Sequence, residues 1–118
     1  MAAYEEGVVV SVGVGALQYE FIQKLKKRNY FVAAFGHGRN DPRAIEASDF
    51  YMDIDTADAV TAISWLNSLG KPIKAAGSYA GGVAVRTLHL IANQYGLPTA
   101  INTNAAIYKT CIFRNITV

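Results

Sequence analysis

The chain has 118 residues, 52% of them apolar and 17% charged, the balance of a compact globular protein; a disordered tail, a collagen-like segment and a low-complexity tract are excluded. A chain of this length buries roughly two-thirds of its unfolded surface in one core and is too short for two, so a single domain over residues 1–118 is expected. Eleven Lys and Arg against nine Asp and Glu leave a net charge of +2, with Lys24, Lys26, Lys27 and Arg28 clustered together, and so weak a field excludes nucleic acid as a partner gripped through its phosphates.

In chain order, Val8–Val12 is a continuous apolar run that reads as a strand buried on both faces. Gly13-Val14-Gly15 then turns into a helix whose apolar stripe is Leu17, Phe21, Ile22 and Leu25. The cationic cluster falls in the last turn of that helix, where it suits the negative end of the dipole and reads as a solvated terminus. Tyr30–Phe35 is the second strand, followed by an irregular exposed loop (Gly36, Gly38, Asn40, Asp41, Pro42) and a short helix at Arg43–Ala47. Phe50–Ile54 is the third strand, again read as buried on both faces. Asp55 or Thr56 can N-cap the next helix, with Val60, Ile63, Leu66 and Leu69 as its buried stripe and Gly70 with Pro72 as its stop. Ile73–Gly77 is the fourth strand, and Ala84, Leu88, Ile91 and Tyr95 mark a last helix that stops at Gly96 before Pro98. Strands that return about every twenty residues with helices between them need crossover connections. The fold expected is a doubly wound, Rossmann-like α/β domain with a parallel sheet and three layers, α/β/α.

Ligands of such a sheet bind beyond the carboxyl ends of its strands. Four stretches follow those ends. Gly13-Val14-Gly15-Ala16-Leu17-Gln18 lets backbone amides at a helix start face an anion. It is not a dinucleotide fingerprint, because Gln18 stands where a third glycine is needed and no carboxylate follows the second strand before Asp41. Gly36 to Arg43 carries His37, Arg39 and Arg43, which suit either an anion clamp or a solvated loop. Asp53 and Asp55 lack the partners in sequence that a metal ion needs, so no metal site is expected. Gly77-Ser78-Tyr79-Ala80-Gly81-Gly82 is a second helix-start loop, without the spacing of a nucleophile elbow. His89, Trp65 and Cys111 read as surface or packing residues, and no catalytic residue is assigned.

Cys111 has no internal disulfide partner, which fits a reducing compartment. The longest apolar run, Gly7 to Leu17, is broken by Ser11, Gly13 and Gly15 and falls far short of the roughly twenty residues that span a bilayer. Glu5 and Glu6 stand where a signal peptide would be cationic. A cytoplasmic protein with no membrane partner is expected.

The succession of these features resembles the N-terminal domain of ATP-grasp enzymes, such as carbamoyl-phosphate synthase and biotin carboxylase. The resemblance is carried by Gly13-x-Gly15-x-x-Gln18, the cationic helix, the stretch Ala47 to Asp55, Ile73-Lys74-Ala75-Ala76-Gly77-Ser78-Tyr79-Ala80, and Tyr95-Gly96-Leu97-Pro98. It runs from about Val8 to Arg114, where Thr110-Cys111-Ile112-Phe113-Arg114 keeps the Arg of a family helix and either has Cys111-Ile112 in place of its Asp-Lys or has the Lys displaced to Lys109. The resemblance implies a substrate-side domain of a carboxylate–amine ligase, in which ATP activates a small carboxylate as its acyl phosphate. It implies that the natural chain continues past Val118 into ATP-grasp domains that hold ATP and Mg2+, with no cofactor in the present chain. The substrate wall it implies is Gly13, Gly15, Gln18, Gly36, Ser78, Tyr79, Gly81 and Gly82. A self-sufficient Rossmann-like module for a nucleotide or CoA, and a purely structural domain, are the competing readings; separation from further domains would leave an apolar patch suited to a homodimer.

Overall fold

A computed structural model describes residues 7–78 and 82–97. Eight elements alternate along the chain: β1 (Val8–Val12), α1 (Ala16–Lys27), β2 (Phe31–Gly36), α2 (Pro42–Ala47), β3 (Phe50–Asp53), α3 (Ala59–Ser68), β4 (Ile73–Gly77) and α4 (Val83–Gln94). The strands form one sheet in the order β3-β2-β1-β4, and every pairing is parallel. The α/β three-layer architecture is therefore as expected. None of the described helices is long and apolar enough to cross a membrane.

Alternation along the strands divides the core in two. Val8, Val10, Val12 and Phe35 face α3 and α4, where they meet Ala62, Leu66, Leu88 and Ile91. Val9, Val32 and Ala34 face α1 and α2, where they meet Phe21, Ile22, Leu25 and Ala44. The valine-rich β1 is buried throughout because β2 and β4 flank it and a helix layer covers each face.

Five expectations are corrected. β2 runs Phe31–Gly36, one residue later than expected, with Tyr30 left in the turn. β3 ends at Asp53 and is half-exposed, because it is an edge strand with a neighbour on one side only. In α1 the buried stripe is Gln18, Phe21, Ile22 and Leu25, while Leu17 is 59% exposed. The fully buried residues of α3 are Ala59, Ala62 and Leu66, with Ile63 and Leu69 partly covered and Val60 81% exposed. Ala62 and Leu66 join the cluster that holds Val12 and Phe35, the Phe35 ring meets Trp65 edge-on, and Val60 turns outward. The N-cap of α3 is Asp58, whose Oδ1 accepts from Thr61 N at 3.1 Å; Asp55 instead accepts from Ala57 N at 2.8 Å and shapes the turn before it.

The cationic end of α1 is only partly a solvated terminus. Lys26 Nζ lies 2.6 Å from Asp49 Oδ2 and donates to the Tyr30 carbonyl at 3.1 Å, while Asp49 Oδ2 also accepts from Val32 N at 2.8 Å. The helix closes with Tyr30 N donating to Leu25 O and Asn29 N to Lys26 O, Asn29 adopting a left-handed conformation. Gly96 ends α4 through the same pair of bonds, Leu97 N to Ala92 O and Gly96 N to Asn93 O.

These corrections set a stability test. Ile22→Ala should cost about 2–5 kcal/mol, because it empties a fully buried site, whereas Leu17→Ala and Val60→Ala should each stay within about 0.5 kcal/mol. Chemical denaturation of the three variants checks this, and a large loss at Leu17 would contradict the observed rotation of α1.

Candidate functional site

The chain leaves β1 for β2 and β3 on one side, then returns to place β4 on the other side of β1. Strand order therefore reverses between β1 and β4, and open α/β sheets bind their ligands beyond the carboxyl ends of the strands at such a point. Two helices start there from opposite faces of the sheet, α1 after β1 and α4 after β4. Both begin at a glycine with no side-chain cap, Gly15 for α1 and Gly82 for α4. By contrast α2 and α3 are capped by Asp41 and Asp58. The two helix starts without a side-chain acceptor are the two that flank the reversal.

The turn after β1 is held by several bonds. Gly13 has φ +110, a conformation that disfavours any side chain. Its N–H donates to Phe35 O at 2.8 Å, and its carbonyl accepts from Ser11 Oγ at 2.9 Å. Gln18, only 5% exposed, folds back over this turn. A Cβ on Gly13 would lie 3.3 Å from Gln18 Cδ, and one on Gly15 3.2 Å from Gln18 Oε1. The Gln18 Nε2 donates to Ser78 Oγ at 3.5 Å, and Ser78 Oγ donates to Val12 O at 2.8 Å. A buried amide and a buried hydroxyl thus bridge the loop after β1 to the loop after β4.

The structure therefore brings together Gly13, Gly15, Gln18 and Ser78 from two loops 60 residues apart in sequence at the Gln18–Ser78 bond. Gly82 stands at the start of α4, with nothing within 4 Å of the position a Cβ would take. Tyr79 and Gly81 lie outside the described residues, as do Cys111 and Arg114. Gly36 has a packing role: a Cβ there would lie 2.9 Å from Val14 Cγ2 and 3.0 Å from Asn40 Oδ1. Asn40 Nδ2 donates to Tyr51 OH at 2.8 Å and to Gly36 O at 3.3 Å, which ties the β2 loop to β3, and Asp41 N donates to Val14 O at 2.7 Å, which seats that loop on the β1 turn; burial raises the pKa of the Tyr51 hydroxyl.

Two charged side chains of the β2 loop, Arg43 and His37, are engaged by neighbouring carboxylates, while the Arg39 carbonyl lies beside Gly15. Arg43 is engaged by Asp41 through Nη2–Oδ2 at 2.7 Å and Nε–Oδ1 at 3.1 Å, and its guanidinium lies 4.6 Å from the Tyr19 ring centre. That pairing holds the Asp41 carboxyl below its usual pKa and neutralises half of the clamp that the sequence offered. His37 Nδ1 lies 2.8 Å from Asp53 Oδ1, with both side chains more than half exposed. Sequence reading considered His37 and Asp53 separately; parallel pairing of Gly36 with Asp53 in the β2–β3 register joins them. Among the described residues no three His, Cys, Asp or Glu side chains are gathered as a metal ion needs.

No protein-family model matches the chain, and no curated protein is significantly similar to it. Among solved structures, the fold is that of part of a phosphoribosylglycinamide synthetase from Anaerococcus prevotii, with a TM-score of 0.69 and 16% identity. The match covers 85% of this chain and 25% of the synthetase, so the present chain spans about a quarter of that enzyme.

Two outcomes follow from the geometry. Asp53, by hydrogen bond and charge and with Asp55 adding to it, raises the His37 pKa, so NMR titration should place it above the free imidazole value and Asp53→Asn should bring it back. The stability this pair contributes is present below the free imidazole pKa and is lost as pH rises through the raised one. Gln18→Leu should remove the Gln18 Nε2–Ser78 Oγ bond and cost about 1–3 kcal/mol in denaturation; no change would show that the bridge is not formed.

Proposed function

We propose that this chain is the substrate-side domain of an ATP-grasp ligase, carbamoyl-phosphate synthase-like in its chemistry, which activates a small carboxylate as an acyl phosphate. The observation that carries this reading is the buried Gln18–Ser78 bridge between the chain segments that follow β1 and β4, the two strands whose following helices start at glycines. Backbone amides at the two helix starts are uncharged donors suited to orienting a small anion, and the Gln18–Ser78 bridge, whose hydroxyl proton goes to Val12 O, ties the two loops that present them. The order of motifs from Val8 to Arg114 and the fold shared with a quarter of a synthetase that is itself an ATP-grasp enzyme support the same reading.

The donor set also divides the work. Gly13, Gly15, Gln18, Ser78 and Gly82 carry no charge, whereas a magnesium triphosphate requires cations and carboxylates around it. These five residues alone do not fit MgATP. In this reading ATP and Mg2+ belong to further domains C-terminal to this one, which supply the phosphoryl transfer. This chain orients the carboxylate through Gly13, Gly15, Gln18, Ser78, Tyr79, Gly81 and Gly82, while Gly36 acts indirectly by seating Val14. Such a ligase domain works in the cytoplasm and is inactive alone.

Isothermal titration of the 118-residue chain with MgATP should show no binding tighter than about 1 mM. Micromolar affinity would contradict the division of labour and favour a self-sufficient nucleotide module, since the same helix starts can hold a phosphate.

A further inference from the structure

Three of the five large apolar side chains most exposed among the described residues lie together. Val60 (81%), Val83 (56%) and Leu90 (44%) line one open groove of about 490 Å³ between α3 and α4, with Asp58 and Arg86 beside them. On α4 the residues Val83, Arg86 and Leu90 follow helical spacing and form a second stripe next to the core stripe Ala84, Leu88 and Ile91. The 10 residues of α3 and the 12 of α4 carry a single charged side chain, Arg86, in the sequences AVTAISWLNS and VAVRTLHLIANQ. On the opposite layer, α1 turns Glu20, Lys24 and Lys27 to solvent. A helix pair that is apolar on two sides is built to be covered on both.

The charges in the groove indicate what covers it. It holds one cation and one anion. Arg86 pairs with no acidic side chain among the described residues. Asp58 is fixed in place by accepting from Thr61 N, which keeps its carboxyl below the usual pKa and charged at neutral pH. A surface with one charge of each sign and apolar residues between them is complementary to itself under a two-fold rotation, where residue i meets j and j meets i.

We propose that the α3–α4 groove is the contact between two copies of this chain, with Val60, Val83 and Leu90 packed at its centre and Arg86 of each protomer set against the partner subunit's Asp58. The contact does not depend on the ligase reading, and its failure would leave the junction of β1 and β4 and its ligand untouched. Apolar residues at the centre supply the affinity, and the crossed charges set the register and disfavour other partners.

Sedimentation velocity of the 118-residue chain should show a dimer at concentrations approaching about 1 mM. Val83→Asp and Arg86→Glu should each raise the dissociation constant at least about tenfold, with unchanged far-ultraviolet circular dichroism. Asp58→Asn keeps a capping oxygen and removes the charge, so its dimer should be weaker than the parent and lose most of the parent's salt dependence. Should Val83→Asp fail to fold, Leu90→Lys on the same stripe takes its place with the same expectation. A monomer throughout, or a dimer indifferent to Arg86→Glu and to whichever apolar-stripe variant folds, would overturn the proposal.

Discussion

The reversal of strand order at β1 is the constraint on which the rest of the structure depends. Because β2 and β4 lie on either side of β1, the helices that follow β1 and β4 approach the same end of the sheet from opposite faces. Their first turns diverge there, leaving a gap between the two loops at the carboxyl edge of the sheet. Gln18 spans it. Its burial is tolerated only because the amide reaches Ser78, which in turn reaches the carbonyl of Val12. The valine-rich strand, the glycine turn and the buried amide are thus consequences of one topological choice.

Much of the architecture was legible from periodicity. The continuous apolar runs of β1 and β4 and the Ala84–Leu88–Ile91 stripe of α4 lie where the pattern places them. The errors have a common cause. Hydropathy places Leu17 inside and Gln18 outside, but a side chain at the start of a helix is judged by what stands opposite it. Opposite Gln18 are a hydroxyl and two glycines without side chains. Val60 misleads in the same way, since the room beneath α3 suits alanine. Asp55 and Asp58 both precede α3 and both accept backbone hydrogen bonds, so composition could not say which one caps it.

The candidate site was half legible. Glycines after β1 and β4 point to the carboxyl edge by topology alone, yet the joining of Gln18 to Ser78 depends on three-dimensional proximity that no local pattern encodes. The pairing of His37 with Asp53 was likewise hidden, because register between β2 and β3 sets it. Acidic side chains that could suggest chemistry are largely occupied in holding the fold: Asp49 on Lys26 and Val32, Asp41 on Arg43, Asp58 on Thr61. What remains at the junction of β1 and β4 is uncharged: two helices that start at glycines, and the Gln18–Ser78 bridge.

The central claim is that a small carboxylate is held at the junction of β1 and β4. Amide chemical-shift mapping of the isotopically labelled chain during titration with small carboxylates tests it most directly. The account predicts saturable shifts concentrated at Gly13, Gly15, Gln18, Ser78 and Gly82, and lost in Gln18→Leu. Shifts confined to the exposed cations Lys24, Lys27 and Arg39, or unchanged by that substitution, would contradict it.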